Sequence, residues 1–171
     1  LSIGASTVLL ERLSPDGLLQ AIHDFRATIC FTAPTFYRQM APFVKALHAE
    51  RGAPPPLRIC VSAGEALPDA TRQLWKEASG IEMLDGIGAT EMFHIFVSAA
   101  PAEVRRGAIG KVVPGYTAKV VDEHGDEVPL GTVGKLAVKG PTGCKYLDDA
   151  RQTTYVREGW NYPGDAFSQD A

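Results

Sequence analysis

Residues 57–86, "LRICVSAGEALPDATRQLWKEASGIEMLDG", decide the fold class of this chain. The stretch begins with an apolar run at 57–64 that is typical of a buried strand. Pro68 then opens a segment of helix-forming residues that continues to Ser79. A second apolar run at 80–86 predicts another strand. A strand, a helix and a strand within about thirty residues indicate two parallel strands joined by a crossover helix.

The segments before this stretch repeat the same alternation. Residues 6–12 ("STVLLER") and 27–32 ("ATICFT") are apolar and β-prone, which predicts two more strands. Between them, Ser14 is expected to cap a helix that has Pro15 at its first position. Apolar residues recur there at helical spacing, namely Leu18, Ile22 and Phe25.

A second helix is expected between the strand at 27–32 and the proline-rich loop at 53–56. Thr35 is a candidate N-cap for this helix, which runs towards Glu50, and Pro42 is expected to kink or split it. Four strand candidates separated by helices predict a parallel, doubly wound α/β sheet.

The second half of the chain has a different character. From about Gly107 it is rich in glycine, valine and short β-prone runs. Residues 116–122 and 135–140 predict antiparallel strands, with a tight turn at 123–126. We expect this part to be β-rich.

We therefore place a boundary near Pro101 and expect two subdomains. Residues 1–100 are predicted to form a parallel α/β half-subdomain that carries the ligand-binding loops. Residues 101–171 are predicted to form a β-rich, distorted barrel-like subdomain. No internal repeat or low-complexity tract is present in the sequence.

Composition excludes several classes of function. The 171 residues carry a formal net charge of -3 with a pI near 5.8, which argues against nucleic acid as a partner. No apolar run reaches the ~20 residues of a membrane span, and no signal peptide is expected. The three cysteines lack CxxC spacing, and no two histidines have metal-ligand spacing. Free thiols of this kind predict a reducing, cytoplasmic location.

Two loops carry the candidate chemistry. Residues 62–68 and 85–91 each follow a predicted parallel strand, so both leave from the carboxyl edge of the sheet, where ligands bind. Each loop supplies glycine and a carboxylate, Glu65 or Glu91. Thr90 stands beside Glu91, and this pair can place a hydroxyl on a phosphate oxygen and a carboxylate on magnesium.

Standard nucleotide motifs are missing from the sequence. Gly86-Ile87-Gly88 lacks the third glycine of a dinucleotide fingerprint, because residue 91 is glutamate. The sequence has no GxxxxGK[ST] phosphate loop and no GxSxG nucleophile elbow. Taken by themselves, Thr90 and Glu91 fit a helix start or a solvated surface about as well as a ligand site.

Structural roles also fit the other candidate residues. A histidine in an apolar run, such as His94, is more often part of a core than of a site, and Phe93, Ile95 and Phe96 fit a core equally well. Asp165 follows Gly164 as a turn aspartate would. Glu65 is placed to cap the helix that begins at Pro68.

Four motifs taken together resemble one family. "SAGEAL" (62–67), Asp85 followed by "GIGATEM" (86–92), "PLGTVGKLAVKGPTGCKYLDD" (129–149) and "GWNYPGDAF" (159–167) occur in the order of the adenylate-forming superfamily. That superfamily includes acyl- and aryl-CoA ligases, luciferases and adenylation domains. "GATEMFHIF" and "GPTGCKYLDD" resemble aryl-CoA ligases of the benzoate and 2-aminobenzoate type in particular.

The resemblance implies roles for individual residues. The adenine pocket is formed by Gly64, Glu65, Ala66, Asp85 and Gly86. Thr90 contacts the α-phosphate and Glu91 binds the magnesium that bridges the phosphates. Asp165 accepts hydrogen bonds from both ribose hydroxyls. The slot for the aromatic acid is lined by Gly88, His94 and Ile95.

The sequence departs from the family pattern at Pro163, where the family usually has a hydroxyl residue before the Gly-Asp pair. The family's upstream phosphate loop and its downstream lid with a catalytic lysine are also absent from these 171 residues. We therefore expect a fragment of a large N-terminal domain that is inactive in isolation.

The resemblance implies an ATP-dependent aryl-CoA ligase. Such an enzyme uses ATP and magnesium to form an aryl-adenylate, and then transfers the acyl group to coenzyme A. The alternatives are a superfamily member acting on a fatty acid or an amino acid, a non-catalytic nucleotide-binding module, and a purely structural α/β domain.

Overall fold

The computed structural model describes residues 3–51 and 56–170. Its chain divides into two compact units. The first contains Leu1–Gly86 and Ala99–Gly110, and the second contains Ile87–Ser98 and Lys111–Ala171. The chain passes between the units after Gly86, Ser98 and Gly110. The subdomains expected at 1–100 and 101–171, with their functions, stay a prediction.

The first unit alternates strands and helices as the sequence predicts. Its elements are helix α1 (Pro15–Asp24), strand β1 (Ile29–Thr32), helix α2 (Pro34–Arg51), strand β2 (Ile59–Ala63), helix α3 (Asp69–Ser79), the greater part of strand β3 (Met83–Gly88) and a short 3-10 turn (Pro101–Glu103). Strands β1, β2 and β3 pair in parallel, in that order. This arrangement confirms the predicted α/β class.

The core of the first unit is built around a buried aromatic pair. The rings of Tyr37 and Trp75 meet edge to face, with centroids 4.8 Å apart. The Tyr37 hydroxyl donates to the carbonyl oxygens of Cys30 at 2.8 Å and Val61 at 3.1 Å. Helix α2 is thereby tied to β1 and β2, and the carboxyl ends of those strands are fixed relative to each other.

The ends of α1 and α3 follow from local sequence. Ser14 caps α1 as predicted, because its hydroxyl accepts a hydrogen bond from the Gly17 N–H at 3.2 Å. Helix α3 begins after Pro68 and has no side-chain cap, so the predicted capping role of Glu65 is wrong. The helix ends at Gly80, whose φ of +76° is the left-handed conformation that glycine adopts readily.

Two other expectations for the first unit are wrong. Residues 6–12 form no strand, and all but Leu10 are exposed. β-propensity specifies a strand only where a neighbouring strand and a packed face are present. Pro42 was expected to kink or split helix α2, and the split does not occur, because the helix continues through the exposed Pro42. The loop predicted at 53–56 lies largely outside the described residues.

The second unit is β-rich, as expected. Its elements are the end of β3, a 3-10 turn (Thr90–Met92), β4 (Ile95–Ser98), β5 (Lys111–Val112), β6 (Thr117–Val121), β7 (Gly134–Lys139), helix α4 (Arg151–Tyr155), β8 (Val156–Arg157), β9 (Trp160–Asn161) and β10 (Ala166–Phe167). Strand β7 is central and antiparallel to β6, β9 and β10. Within the described residues the sheet is open, so the barrel-like closure is not formed.

The turn predicted at 123–126 is present. The Asp122 carboxylate accepts hydrogen bonds from the N–H groups of His124 at 2.8 Å and Asp126 at 3.0 Å. After the turn, Glu127 forms an isolated antiparallel bridge with Val121 of β6. The predicted partner strand, β7, begins later, at Gly134. The turn therefore pairs the end of β6 with residue 127 and does not lead directly into β7.

A separate core holds the second unit together. Its buried residues are Met92, Phe96, Leu136 and Val138. Met92 belongs to the 3-10 turn and Phe96 to β4, so this core anchors the segment on both sides of His94. No helix in the described part of the chain is long and apolar enough to cross a membrane.

Candidate functional site

The first part of the candidate site is the carboxyl edge of the parallel strands. Ser62 pairs with Asp85 and Ala63 pairs with Gly86 in the register of β2 and β3. The predicted loops are shorter than expected, because residues 62–63 belong to β2 and residues 85–88 belong to β3. Gly64 has a φ of +90°, which a side chain would strain.

Thr35 adds a third segment to this edge. Its hydroxyl donates to the Glu65 Oε2 atom at 2.8 Å. Helix α2 begins at Pro34, so Thr35 lies in its first turn and is not the predicted N-cap. The structure thus brings Gly64, Glu65 and Ala66 next to the segment that follows β1.

Asp85 is half-buried within β3 and accepts a hydrogen bond from the Gly86 N–H at 3.0 Å. Burial raises the pKa of its carboxyl group, since removal from water disfavours the charged form. The Gly86 N–H opposes this shift. The predicted place of Asp85 beside adenine stays a prediction.

In the second unit, the chain at Gly88 lies against the backbone of His94 and Ile95. A Cβ atom at Gly88 would lie 2.5 Å from the His94 carbonyl oxygen and 2.9 Å from the Ile95 Cα. Only glycine fits this close approach. The structure therefore places the three residues predicted to line the acid slot next to one another. Their contact with the aromatic ring of an acid stays a prediction.

The exposure of this segment removes one alternative. His94 is exposed and Ile95 is half-buried, so the reading of His94 as a core residue is wrong. Phe96 is fully buried and belongs to the core, whereas Phe93 is 85% exposed. An exposed phenyl ring therefore lies next to an exposed imidazole in the sequence.

Thr90 and Glu91 form the start of the 3-10 turn. Thr90 is exposed and Glu91 is half-buried, while Met92 is fully buried in the core. Phe93 ends the turn with a φ of +71°, a conformation that is costly for a residue with a side chain. Such strain is found at functional sites, where the surrounding structure holds it in place.

Glu91 is held by a residue that the sequence analysis did not single out. The Tyr146 hydroxyl donates to the Glu91 Oε1 atom at 2.5 Å. This hydrogen bond lowers the pKa of Glu91 and raises the pKa of Tyr146 to about 12. Glu91 is therefore charged and Tyr146 protonated at neutral pH.

The same segment also fixes the backbone of the turn. The Thr142 hydroxyl donates to the Met92 carbonyl oxygen at 2.7 Å and lies 2.6 Å from the Tyr116 hydroxyl. Thr142 and Tyr146 belong to the motif at 129–149. Their contacts with the turn could not be predicted from the motif, because about fifty residues separate them from it.

Asp165 follows Gly164, whose φ of +96° requires glycine, and its side chain is exposed. Its carbonyl oxygen accepts a hydrogen bond from the Leu136 N–H at 3.1 Å, which ties the motif to β7. Burial raises the pKa of Tyr155, and both Glu91 and Asp165 add to that shift. The predicted metal and ribose carboxylates thus lie within electrostatic reach of one tyrosine.

The side chains that could bind the predicted magnesium are few. No group of three or more His, Cys, Asp or Glu side chains that could hold a metal exists among residues 3–51 and 56–170. Magnesium, however, is commonly bound by one or two carboxylates together with substrate phosphates. Glu91, with one oxygen bonded to Tyr146, fits such a site.

Comparison with known proteins agrees with this arrangement. A family model described as AMP-binding enzyme matches residues 1–146. The benzoate–CoA ligase of Thauera aromatica is 36% identical over 98% of this chain, and the anthranilate–CoA ligase of Pseudomonas aeruginosa is 33% identical over 98%. The crystal structure of the anthranilate CoA ligase AuaEII in complex with anthranoyl-AMP matches with a TM-score of 0.86 and 38% identity, over 98% of this chain and 33% of that one.

The matched region is one part of each relative. The chain covers 32% of both curated relatives, so it spans about a third of their length. The order of the four motifs, the parallel strands that carry the loops and the match over residues 1–146 all agree. The chain therefore belongs to the AMP-binding enzyme family, the adenylate-forming superfamily that its motifs resemble.

Proposed function

We propose that this chain is part of an ATP-dependent aryl-CoA ligase that acts on an aromatic carboxylate of the benzoate or 2-aminobenzoate type. The observation that carries the proposal is the Thr90–Met92 turn, where a hydroxyl and a fixed, charged carboxylate stand beside His94. The relatives' names, which include benzoate and anthranilate, support the choice of acid.

In the proposed reaction, a carboxylate oxygen of the acid attacks the α-phosphorus of ATP. The bond from that phosphorus to the bridging oxygen breaks, and pyrophosphate leaves. The sulfur of coenzyme A then attacks the acyl carbon, AMP leaves with its electron pair, and the thiol proton passes to solvent. The first step joins two anions, so fixed donors and charges must offset their repulsion.

The residues of this chain have defined tasks in that first step. Thr90 donates its hydroxyl proton to an oxygen of the α-phosphate, and Glu91 provides the carboxylate for a divalent cation. When bound, magnesium would neutralise the charge on the phosphates. The loops at 64–66 and 85–86 bind the base, and Asp165 accepts hydrogen bonds from the ribose.

The acid is proposed to lie against Gly88, His94 and Ile95. A flat apolar surface beside an exposed imidazole suits an aromatic ring that carries a polar substituent. His94→Ala should change the relative kcat/KM among substituted benzoates at saturating ATP. Equal loss for all acids would count against a role in selection.

We also propose a cytoplasmic location, which the free thiols Cys30, Cys60 and Cys144 support. The test of the function is pyrophosphate exchange into ATP by the full-length protein that contains this chain. Benzoate and 2-aminobenzoate should support exchange. Exchange with only a fatty acid or an amino acid would replace the acid class, and no exchange with any acid would reject the ligase.

A further inference from the structure

We propose that Tyr146 is a positioning residue for Glu91, which it holds in the orientation that receives a divalent cation with the phosphates of ATP. This inference rests on the proposed function of Glu91. It concerns a residue that is 55 positions away from Glu91 in the sequence and that belongs to a different motif.

The hydrogen bond from Tyr146 restricts the geometry of the carboxylate. The Tyr146 hydroxyl donates to Oε1 at 2.5 Å, within the range of a short, charge-assisted hydrogen bond. The backbone of Glu91 adds a second hydrogen bond to the same carboxylate. Together the two bonds limit its rotation and keep it charged, as a cation ligand requires.

The donor that holds Glu91 carries no charge. A lysine or arginine in this position would neutralise the carboxylate and compete with the cation for it. A tyrosine hydroxyl is neutral and fixes the carboxylate without cancelling its charge. The nearby guanidinium of Arg151 pairs with the Asp149 carboxylate at 2.7 Å and contributes only the last and smallest of the causes that shift the pKa of Glu91.

Tyr146 is itself held on several sides. Its N–H donates to the Gln152 Oε1 atom at 2.7 Å. The Arg151 guanidinium lies over its ring at 4.7 Å from the centroid, and the Tyr155 ring meets it edge to face at 5.9 Å. A donor with a fixed backbone and a fixed ring can orient its acceptor, whereas a mobile surface tyrosine cannot.

The loop that carries Tyr146 fixes the Thr90–Met92 turn as well as the Glu91 carboxylate. Thr142 bonds the Met92 carbonyl oxygen while Tyr146 bonds the Glu91 side chain. Two contacts four residues apart on the loop thus hold two neighbouring residues of the turn. Supporting groups of this kind around a metal ligand typically contribute 10- to 100-fold in metal affinity.

The test uses Tyr146→Phe in the full-length protein, with Tyr155→Phe as the matched control. Phenylalanine keeps the ring contacts of Tyr146 and removes only the hydroxyl. The Tyr155 hydroxyl has no hydrogen-bond partner among the described residues, so its removal costs no such contact. Both variants should melt within a few degrees of the parent protein.

The main measurement is the affinity for Mn²⁺ in the presence of a non-hydrolysable ATP analogue, from the electron paramagnetic resonance signal of free Mn²⁺. Tyr146→Phe should raise the Mn²⁺ dissociation constant by about tenfold. In the adenylation assay, kcat at fixed Mg²⁺ should fall while the KM for benzoate stays within about twofold, because the acid slot is unchanged. Tyr155→Phe should leave both within about twofold.

Glu91→Gln separates failure of this inference from failure of the proposed function. If Glu91→Gln weakens Mn²⁺ binding and Tyr146→Phe does not, Tyr146 is not a positioning residue, although the site stands. If Glu91→Gln leaves Mn²⁺ binding unchanged, the proposed role of Glu91 fails, and the inference fails with it. A similar shift in Tyr155→Phe would show that the effect does not depend on the hydrogen bond to Glu91, and it would overturn the proposal.

A double variant completes the test. If Tyr146 acts only through Glu91, adding Tyr146→Phe to Glu91→Gln should weaken Mn²⁺ binding little further. Full additivity of the two changes would show that Tyr146 acts independently of Glu91, which contradicts the proposal.

Discussion

Glu65 and Glu91 are both carboxylates on candidate ligand loops, and each accepts a hydrogen bond from a hydroxyl group, but their surroundings differ. Glu65 is exposed, and its donor Thr35 is half-buried. Glu91 is half-buried, and its donor Tyr146 is held by Gln152 and by two ring contacts. Glu91 is thus the more firmly held of the two carboxylates, which supports the proposal that Glu91 takes part in the chemistry and Glu65 in binding.

The largest effect is expected at Glu91. Glu91→Gln keeps the shape of the side chain and removes its charge, so the full-length protein should lose about 10²-fold or more in kcat for adenylation. Glu65→Gln, the same change at the exposed carboxylate, should cost less than about tenfold. Steady-state pyrophosphate exchange measures both. Equal losses in the two variants would break the distinction between the two loops.

Asp165→Asn should lower ATP affinity by about ten- to a hundredfold, because each charge-assisted hydrogen bond from ribose contributes roughly 1.5–3 kcal/mol. The parent protein should discriminate against 2′- or 3′-deoxy-ATP, and the variant should discriminate much less. Calorimetric titration of the two nucleotides against both proteins gives the coupling. An equal loss with deoxy-ATP in both would make Asp165 a turn residue.

A smaller effect is expected at Thr35. Thr35→Val removes the hydroxyl that bonds the exposed Glu65, so the KM for ATP should rise by only about two- to threefold. The kcat should stay the same, since no contact with the phosphates or the acid is proposed for Thr35. Thr117→Val, at an exposed threonine of β6, is the control. A large fall in kcat for Thr35→Val would show that the first unit also positions groups for chemistry.

The smallest effect concerns a carboxylate held by cations. Glu82 pairs with Lys76 at 2.8 Å and Arg72 at 3.0 Å, and the hydrogen bond from Lys76 is the main cause that lowers its pKa below 4.5. A lowered pKa contributes stability above the unfolded value, and this is lost as the pH falls through the folded value. Glu82→Gln should therefore destabilise by about 0.5–1 kcal/mol at pH 7.

Thermal melting of the full-length protein at several pH values checks this prediction. The difference between Glu82→Gln and the parent protein should shrink below about pH 5 and disappear in stronger acid. Glu77→Gln is the control, because it removes a charge on the exposed face of α3 and keeps an oxygen that can accept from Gln73. A difference that does not change with pH would show that packing rather than charge is responsible.

The parallel strands, α1 and the two ligand loops could be predicted from sequence because each depends on neighbouring residues. Ser14 and Pro15 specify a helix start locally, and the apolar runs at 57–64 and 80–86 specify buried strands. Residues 6–12 have the same local signal and form no strand, since pairing and packing are missing there. Local pattern alone does not show whether a partner exists.

The contacts of the candidate site could be predicted only in part. The motifs located Thr90, Glu91 and Asp165, but not the residues that orient them. The Tyr146 hydroxyl reaches Glu91 across 55 residues, and Thr35 reaches Glu65 across 30. Such contacts depend on how the chain folds back, which no spacing in the sequence records.

The most direct test of the central claim follows an oxygen atom. The full-length protein is incubated with ATP, magnesium, coenzyme A and benzoate labelled with ¹⁸O in its carboxylate, and the AMP is analysed by mass spectrometry. If the carboxylate attacks the α-phosphorus, the AMP carries one ¹⁸O atom and benzoyl-CoA accumulates in equal amount. AMP without the label, or ADP as the product with ¹⁸O in inorganic phosphate, would contradict the formation of an aryl-adenylate.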